Sequence, residues 1–152
     1  MKWGVRRALN KEAKASGKRA GDWHNYAVSS AKKYIQTGDK KYATQYANGL
    51  AYAQANSHVY NKLKVADVKN YANRKDVKQF VLDQTAVGIS SYRSSKMAKD
   101  DMKNLELSRN IELKKNKIIS DQSKKIRDAK TEDERELLEL ETMEKIDDLY
   151  EQ

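Results

Sequence analysis

The sequence predicts an all-α protein, an elongated helical bundle or set of helical hairpins with one long helix and a separately capped C-terminal helix. Three observations carry this. The chain of 152 residues contains no proline, where ordinary usage of about 5% would give roughly seven. Proline costs about 3 kcal/mol inside a helix, so a chain that is nearly all helix has reason to exclude it. Sixteen alanines and 35% charged residues fit the same reading. Eight valines and one phenylalanine are too few for a sheet protein. Val, Ile, Leu and Phe together make only 27 of the 152 residues. Such a composition alone leans towards disorder or extension, but the helical patterning points to a chain that completes its burial against partners.

The opening is basic, with a short helix expected over 7–15. Gly17-Lys18-Arg19-Ala20-Gly21 reads as a turn. Asp22 then caps a helix to about Gln36, because its carboxylate can accept the free N–H groups of a first turn. Gly38 is a helix stop, and Asp39 caps again. The next helix is expected over 40–64. At about 100° per residue, Tyr42, Tyr46, Leu50, Ala53 and Tyr60 share one stripe. Gly49 and Ser57 lie in it or at its edge, where small residues would admit a partner helix. The stripe reads as a packing face, with an aromatic platform for nucleic-acid bases as the alternative.

A short helix or turn is expected over 64–76, then a helix over 77–85 that buries Val77, Phe80 and Val81 and ends at Gly88. Ser90 or Ser91 could start a long helix over 92–129. Its apolar stripe is thin: Leu107, Ile111 and Ile118, with Leu105, Leu113, Ile119 and Ile126 off the line. Thr131-Glu132-Asp133-Glu134 is a capping box, and its acids suit the helix dipole. The helix that follows carries Leu137, Leu138, Leu140, Met143, Ile146, Leu149 and Tyr150. Of these, Leu137, Leu140, Met143, Ile146, Leu149 and Tyr150 form a face that needs a partner, on its own domain or on another subunit. The chain thus divides into a basic anchor segment (1–21), a Tyr/Ala-rich bundle (22–89), a long basic helix (90–130) and an acidic amphipathic helix (131–152).

Charge follows the same division. The net +9 resolves into +13 over residues 1–100, +4 over 101–130 and −8 over 131–152. A polyanion partner is expected for the front, and a separate role for the end. Each phosphate met by Lys or Arg releases counterions. The expected contacts are Lys18, Arg19, Lys32, Lys33, Lys114, Lys115, Lys117, Lys124, Lys125 and Arg127. Dense basic patches are also ordinary solvated helix faces, and no DNA- or RNA-reader motif is present.

Other chemistries lack their residues. Without cysteine, disulfides, zinc–thiolate sites and cysteine nucleophiles are excluded, and a reducing cytosol is the expected place of synthesis. No run is apolar enough to span a bilayer, so no membrane insertion is expected, and no apolar stretch after Arg6 and Arg7 suggests a secretory signal. His24 and His58 have no ligand partners at metal-binding spacing. There is no phosphate-cradling glycine loop and no nucleophile elbow. Asp100-Asp101 and Asp147-Asp148 are adjacent and diverge on a helix, unlike an acid–base pair. No enzyme activity and no cofactor are expected.

The string Lys2-Trp3-Gly4-Val5-Arg6-Arg7 resembles a short tag that recurs near a terminus of structural proteins of tailed bacteriophages. Physically it suits an anchor. Trp3 offers a large contact area, Gly4 admits a close backbone, and Arg6 and Arg7 can pair with carboxylates or phosphates. The resemblance implies a non-enzymatic virion protein, internal or head-associated, made in the bacterial host cytoplasm. Its implied partners are other virion proteins (capsid, portal or internal proteins) and further copies of itself in a homo-oligomer. Charge adds non-specific contact with packaged double-stranded DNA. A soluble nucleic-acid-binding or regulatory helical protein, and a transient assembly scaffold, remain as alternatives.

Overall fold

The computed structural model describes residues 3–151, which form five α-helices. These are α1 (Trp3–Thr37), α2 (Lys40–Lys64), α3 (Arg74–Arg93), α4 (Lys96–Arg127) and α5 (Glu132–Tyr150), with a 3₁₀ turn at Val68–Asn70 before α3. Among the described residues there is no strand, so the protein is all-α. The chain falls into two compact units, one ending at Lys103 and one beginning at Asn104.

In the first unit α1 and α2 form an antiparallel hairpin. Gly38 makes the reversal at φ 70°, a left-handed conformation that glycine adopts without steric cost, and its N–H donates to the Tyr34 carbonyl at 2.7 Å. Asp39 then caps α2, its Oδ1 accepting from the Lys41 N–H at 3.0 Å. α3 lies antiparallel to α2: Gly88 faces Ala55, His58 faces Gln84 and Arg93 reaches Asn48. α1 and α3 therefore run in the same direction and begin at the same end of the unit. The apolar core sits at that end, built from Val5, Leu9, Val59, Leu63, Val77 and Val81, with Tyr71 edge-on to Phe80.

Further along, small residues replace this core. A Cβ on Gly49 would stand 2.9 Å from the Ala27 Cβ and 3.1 Å from its Cα. A Cβ on Gly88 would stand 2.8 Å from the Ala55 Cα. α2 is the middle helix, and Ala43, Ala51, Ala53 and Ala55 are buried along it. The expected packing stripe is correspondingly divided. Ala53 is buried, Tyr42, Tyr46, Leu50 and Tyr60 are half-buried at the rims, and Ser57 is exposed. With a neighbour on each side, the seams of α2 admit only small side chains, so its rings are pushed outward.

Four expected helix boundaries are corrected. The turn over 17–21 is continuous helix inside α1, and Asp22 pairs with Lys18 at 2.8 Å instead of capping. Gly17 lies where a Cβ would meet the Tyr60 ring at 3.2 Å, so it serves packing. Gly88 likewise does not end α3, which runs on to Arg93. That helix also starts earlier than Val77. Asn73 Oδ1 accepts from the Asp76 N–H at 3.1 Å, while Asp76 Oδ2 accepts from the Ala72 N–H at 2.9 Å. The long helix begins at Lys96 because Ser95 intervenes, its Oγ accepting from the Ala98 N–H at 3.2 Å. Tyr92, at the end of α3, donates to Asp101 Oδ2 at 2.6 Å. Burial, then this bond and the Asp101 charge, push the Tyr92 phenol above its ordinary range.

The second unit holds most of α4 and all of α5. Thr131 caps α5 as expected, its Oγ1 accepting from the Glu134 N–H at 3.2 Å. Glu134 reaches back to the Lys130 N–H at 3.2 Å, one residue earlier than in the standard box. Leu105 and Gln122 are the buried residues of α4. Ile111, Ile118 and Ile126 are half-buried, and Leu107 is exposed. Gln122 is 2% exposed. Lys145, 3.3 Å away, holds the exposed Glu141 carboxyl below its usual range, with smaller contributions from the Gln122 side chain and then Lys125, both of α4.

One stability outcome follows. Alanine normally gains about 1 kcal/mol over glycine in a helix, and Gly21→Ala, which meets open space, should gain up to that amount. Gly49→Ala and Gly88→Ala should instead lose about 1–3 kcal/mol through overpacking, which urea unfolding of the three variants would measure.

Candidate functional site

Because α1 and α3 start side by side, their first turns enclose a groove of about 760 Å³. α1 contributes Trp3, Arg7 and Lys11, spaced four residues apart and so on one face. α3 contributes Arg74, Lys75 and Lys78. Gly4 and Ala8 complete the α1 wall, and Glu12 is the one acid among the described lining residues. Five cations thus meet one carboxylate. The positive ends of both helix dipoles add to this field. Trp3 is 69% exposed, and the Arg7 guanidinium lies 5.9 Å from its ring centroid. The arrangement offers cations for an anionic backbone and an apolar ring for a neighbouring carbon surface. It holds no nucleophile–base pair.

The expected anchor residues divide at this groove. Trp3, Gly4 and Arg7 line it, and a Cβ at Gly4 would meet nothing within 4 Å, so any close approach there is left to a partner. Arg6 turns to a separate cleft with Leu63 and Val65. Lys2, the first residue of the tag, lies outside the described residues.

The expected polyanion contacts are dispersed. Arg19 is built into the α1–α2 interface: its Nε donates to Asn56 Oδ1 and its Nη2 to Ser16 Oγ, both at 3.0 Å. Asn56 Nδ2 donates in turn to the Tyr52 carbonyl at 2.8 Å. Ser16 and Asn56 are buried, so this guanidinium satisfies interior groups. Lys18 is paired with Asp22, Lys33 lies 5.6 Å from the Tyr42 ring centroid, and Lys32 is exposed. In the second unit Lys114, Lys117, Lys124 and Lys125 share an arc of about 100° on α4, but Asp121 and Asp128 fall in the same arc. Lys115 and Arg127 project outside it.

The expected continuous face on α5 is also divided. Leu137, Leu140, Met143 and Tyr150 are exposed, whereas Ile146 and Leu149 are half-buried beside Leu138 and Thr142 on the opposite side. Sequence reasoning overlooked Lys11, Arg74, Lys75 and Lys78. The signal was the pair Arg74 and Lys78, four residues apart behind Asn73, divided between a stretch read as a short helix or turn and the helix after it.

Among the described residues no group of three His, Asp or Glu side chains could hold a metal ion, and no helix is long and apolar enough to cross a membrane. His58 Nε2 lies 3.2 Å from Gln84 Oε1 between α2 and α3. Arg19 and Lys32 should separate sharply on mutation. Arg19→Ala takes away the bonds to Ser16 Oγ and Asn56 Oδ1 and should cost about 1.5–3 kcal/mol, while Lys32→Ala should stay within about 0.5 kcal/mol, both read from thermal or urea unfolding.

No protein-family model matches the chain, and no curated protein or solved structure matches it.

Proposed function

We propose that this chain is a non-enzymatic structural protein of a tailed-phage particle, internal or head-associated, whose basic groove binds the phosphates of double-stranded DNA without sequence preference. The observation that carries the DNA-binding part is the convergence of Arg7, Lys11, Arg74, Lys75 and Lys78 beside the exposed Trp3, with Glu12 as the opposing charge. The phage part is supported by the resemblance of residues 2–7 to the virion tag. In this reading the protein is made in the bacterial host cytoplasm and enters the particle with capsid, portal or internal proteins. Many copies in a symmetric particle would multiply weak contacts through effective concentration.

Phosphate binding of this kind has a quantitative signature. For duplex DNA the slope of log K against log salt is about −0.9 per phosphate neutralised. Replacing Lys11, Arg74 and Lys78 together by alanine should make the slope shallower by about 2–3 and weaken binding equally for all sequences. Replacing Lys32 and Lys33 should leave the slope where it is. A slope that is the same in the groove variant and the parent would refute the groove as the DNA site. Detection of the chain by mass spectrometry in purified mature particles supports a virion protein; its presence only in infected cells would turn the reading to a scaffold.

A further inference from the structure

The outward side of α5 stands apart from the rest of the surface. Its half-buried row is Leu138, Thr142, Ile146 and Leu149. On the other side, at about 100° per residue, Leu137, Leu140 and Met143 are interleaved with Asp133, Glu136, Glu144 and Asp147. All seven are exposed, and Leu137 is 68% so. The two bases of α5, Arg135 and Lys145, belong to the half-buried side of the helix, so the outward side carries acids alone. A row of apolar side chains set among unopposed carboxylates fits a surface that is basic and carries its own apolar anchor.

The groove at the starts of α1 and α3 has that chemistry. It presents five cations against Glu12 and holds the exposed Trp3 ring. The dimensions agree. At about 1.5 Å per residue, Glu136 to Asp147 spans roughly 16 Å and Trp3 to Lys11 roughly 12 Å. We infer that the outward face of α5 docks into the α1/α3 groove of a second copy of this chain. The carboxylates of Glu136, Glu144 and Asp147 meet Lys11, Lys75 and Lys78, and Leu140 and Met143 cover Trp3. Methionine against an aromatic ring is a favourable contact, and a central tryptophan is a common binding anchor. The two surfaces differ, so each contact joins unlike faces of two copies. The inference uses the groove proposed for DNA but does not need DNA to be its ligand.

Charge exchange tests it on the full chain without DNA. Sedimentation velocity over a concentration series should show self-association of the parent at low salt. It should be lost near ~1 M salt, where the Debye length shrinks to about 3 Å. E136K/E144K/D147K and K11E/K75E/K78E should each weaken association by about 100-fold, because each turns three attractive pairs into repulsive ones. Mixed in equal amounts, the two variants should associate with each other again. Circular dichroism confirms that each keeps its helix content, and the substituted positions are exposed. A parent that stays monomeric, a single variant that still self-associates, or a folded mixture that does not recover association would each overturn the proposal. Salt-slope measurements on the same variants report on DNA separately, so the two readings can fail independently.

Discussion

Close approach of helices through alanine and glycine is the constraint on which the first unit depends. α2 has a neighbour on each of two sides, and at Ala27–Gly49 and Ala55–Gly88 there is no room for one more carbon. Backbones this near gain dispersion energy over many small contacts, which compensates for the shortage of large apolar side chains. The larger residues concentrate at one end, where Val5, Leu9, Val59, Leu63, Val77 and Val81 meet. The seams also fix register. A shift of α1 along α2 would move Ala27 off Gly49 and would separate Arg19 from Asn56.

The groove is a consequence of that register. Antiparallel packing of α2 against both neighbours makes α1 and α3 parallel, and the core shared by Val5, Leu9, Val77 and Val81 sets their starts side by side. Each start would otherwise be an ordinary solvated basic turn. Together they concentrate charge in one concavity, and the underlying apolar core holds both walls in place. Arg19 shows the opposite use of a cation: its guanidinium joins buried Ser16 to buried Asn56, and the polar pair gives the interface an orientation that apolar contacts alone do not specify.

Much of the fold was legible in the sequence where a side chain acts on its own backbone. Asp39 set the start of α2, Gly38 the stop before it, and Thr131 with Glu134 the start of α5. The misreadings share a cause. Gly17, Gly21 and Gly88 look like helix stops, and nothing local distinguishes a glycine that turns the chain from one that continues a helix. Of the candidate site, Trp3, Gly4 and Arg7 were legible from their tag. Lys11, Arg74, Lys75 and Lys78 were not, because their meeting depends on how α3 lies beside α1. The face of α5 was legible as apolar but not as two-sided, since its leucines occupy both flanks.

The alanine seam also bears on how the first unit responds to temperature. The heat capacity of unfolding rises with the apolar surface exposed and falls with the polar surface exposed. A seam of methyl groups and glycines, with Ser16, Ser30 and Asn56 buried among them, exposes little hydrocarbon when it opens. The stability curve of such a unit is broad and shallow, so its stability changes slowly over a wide thermal range and its cold-denaturation limit lies well below that of a leucine-rich core of equal size.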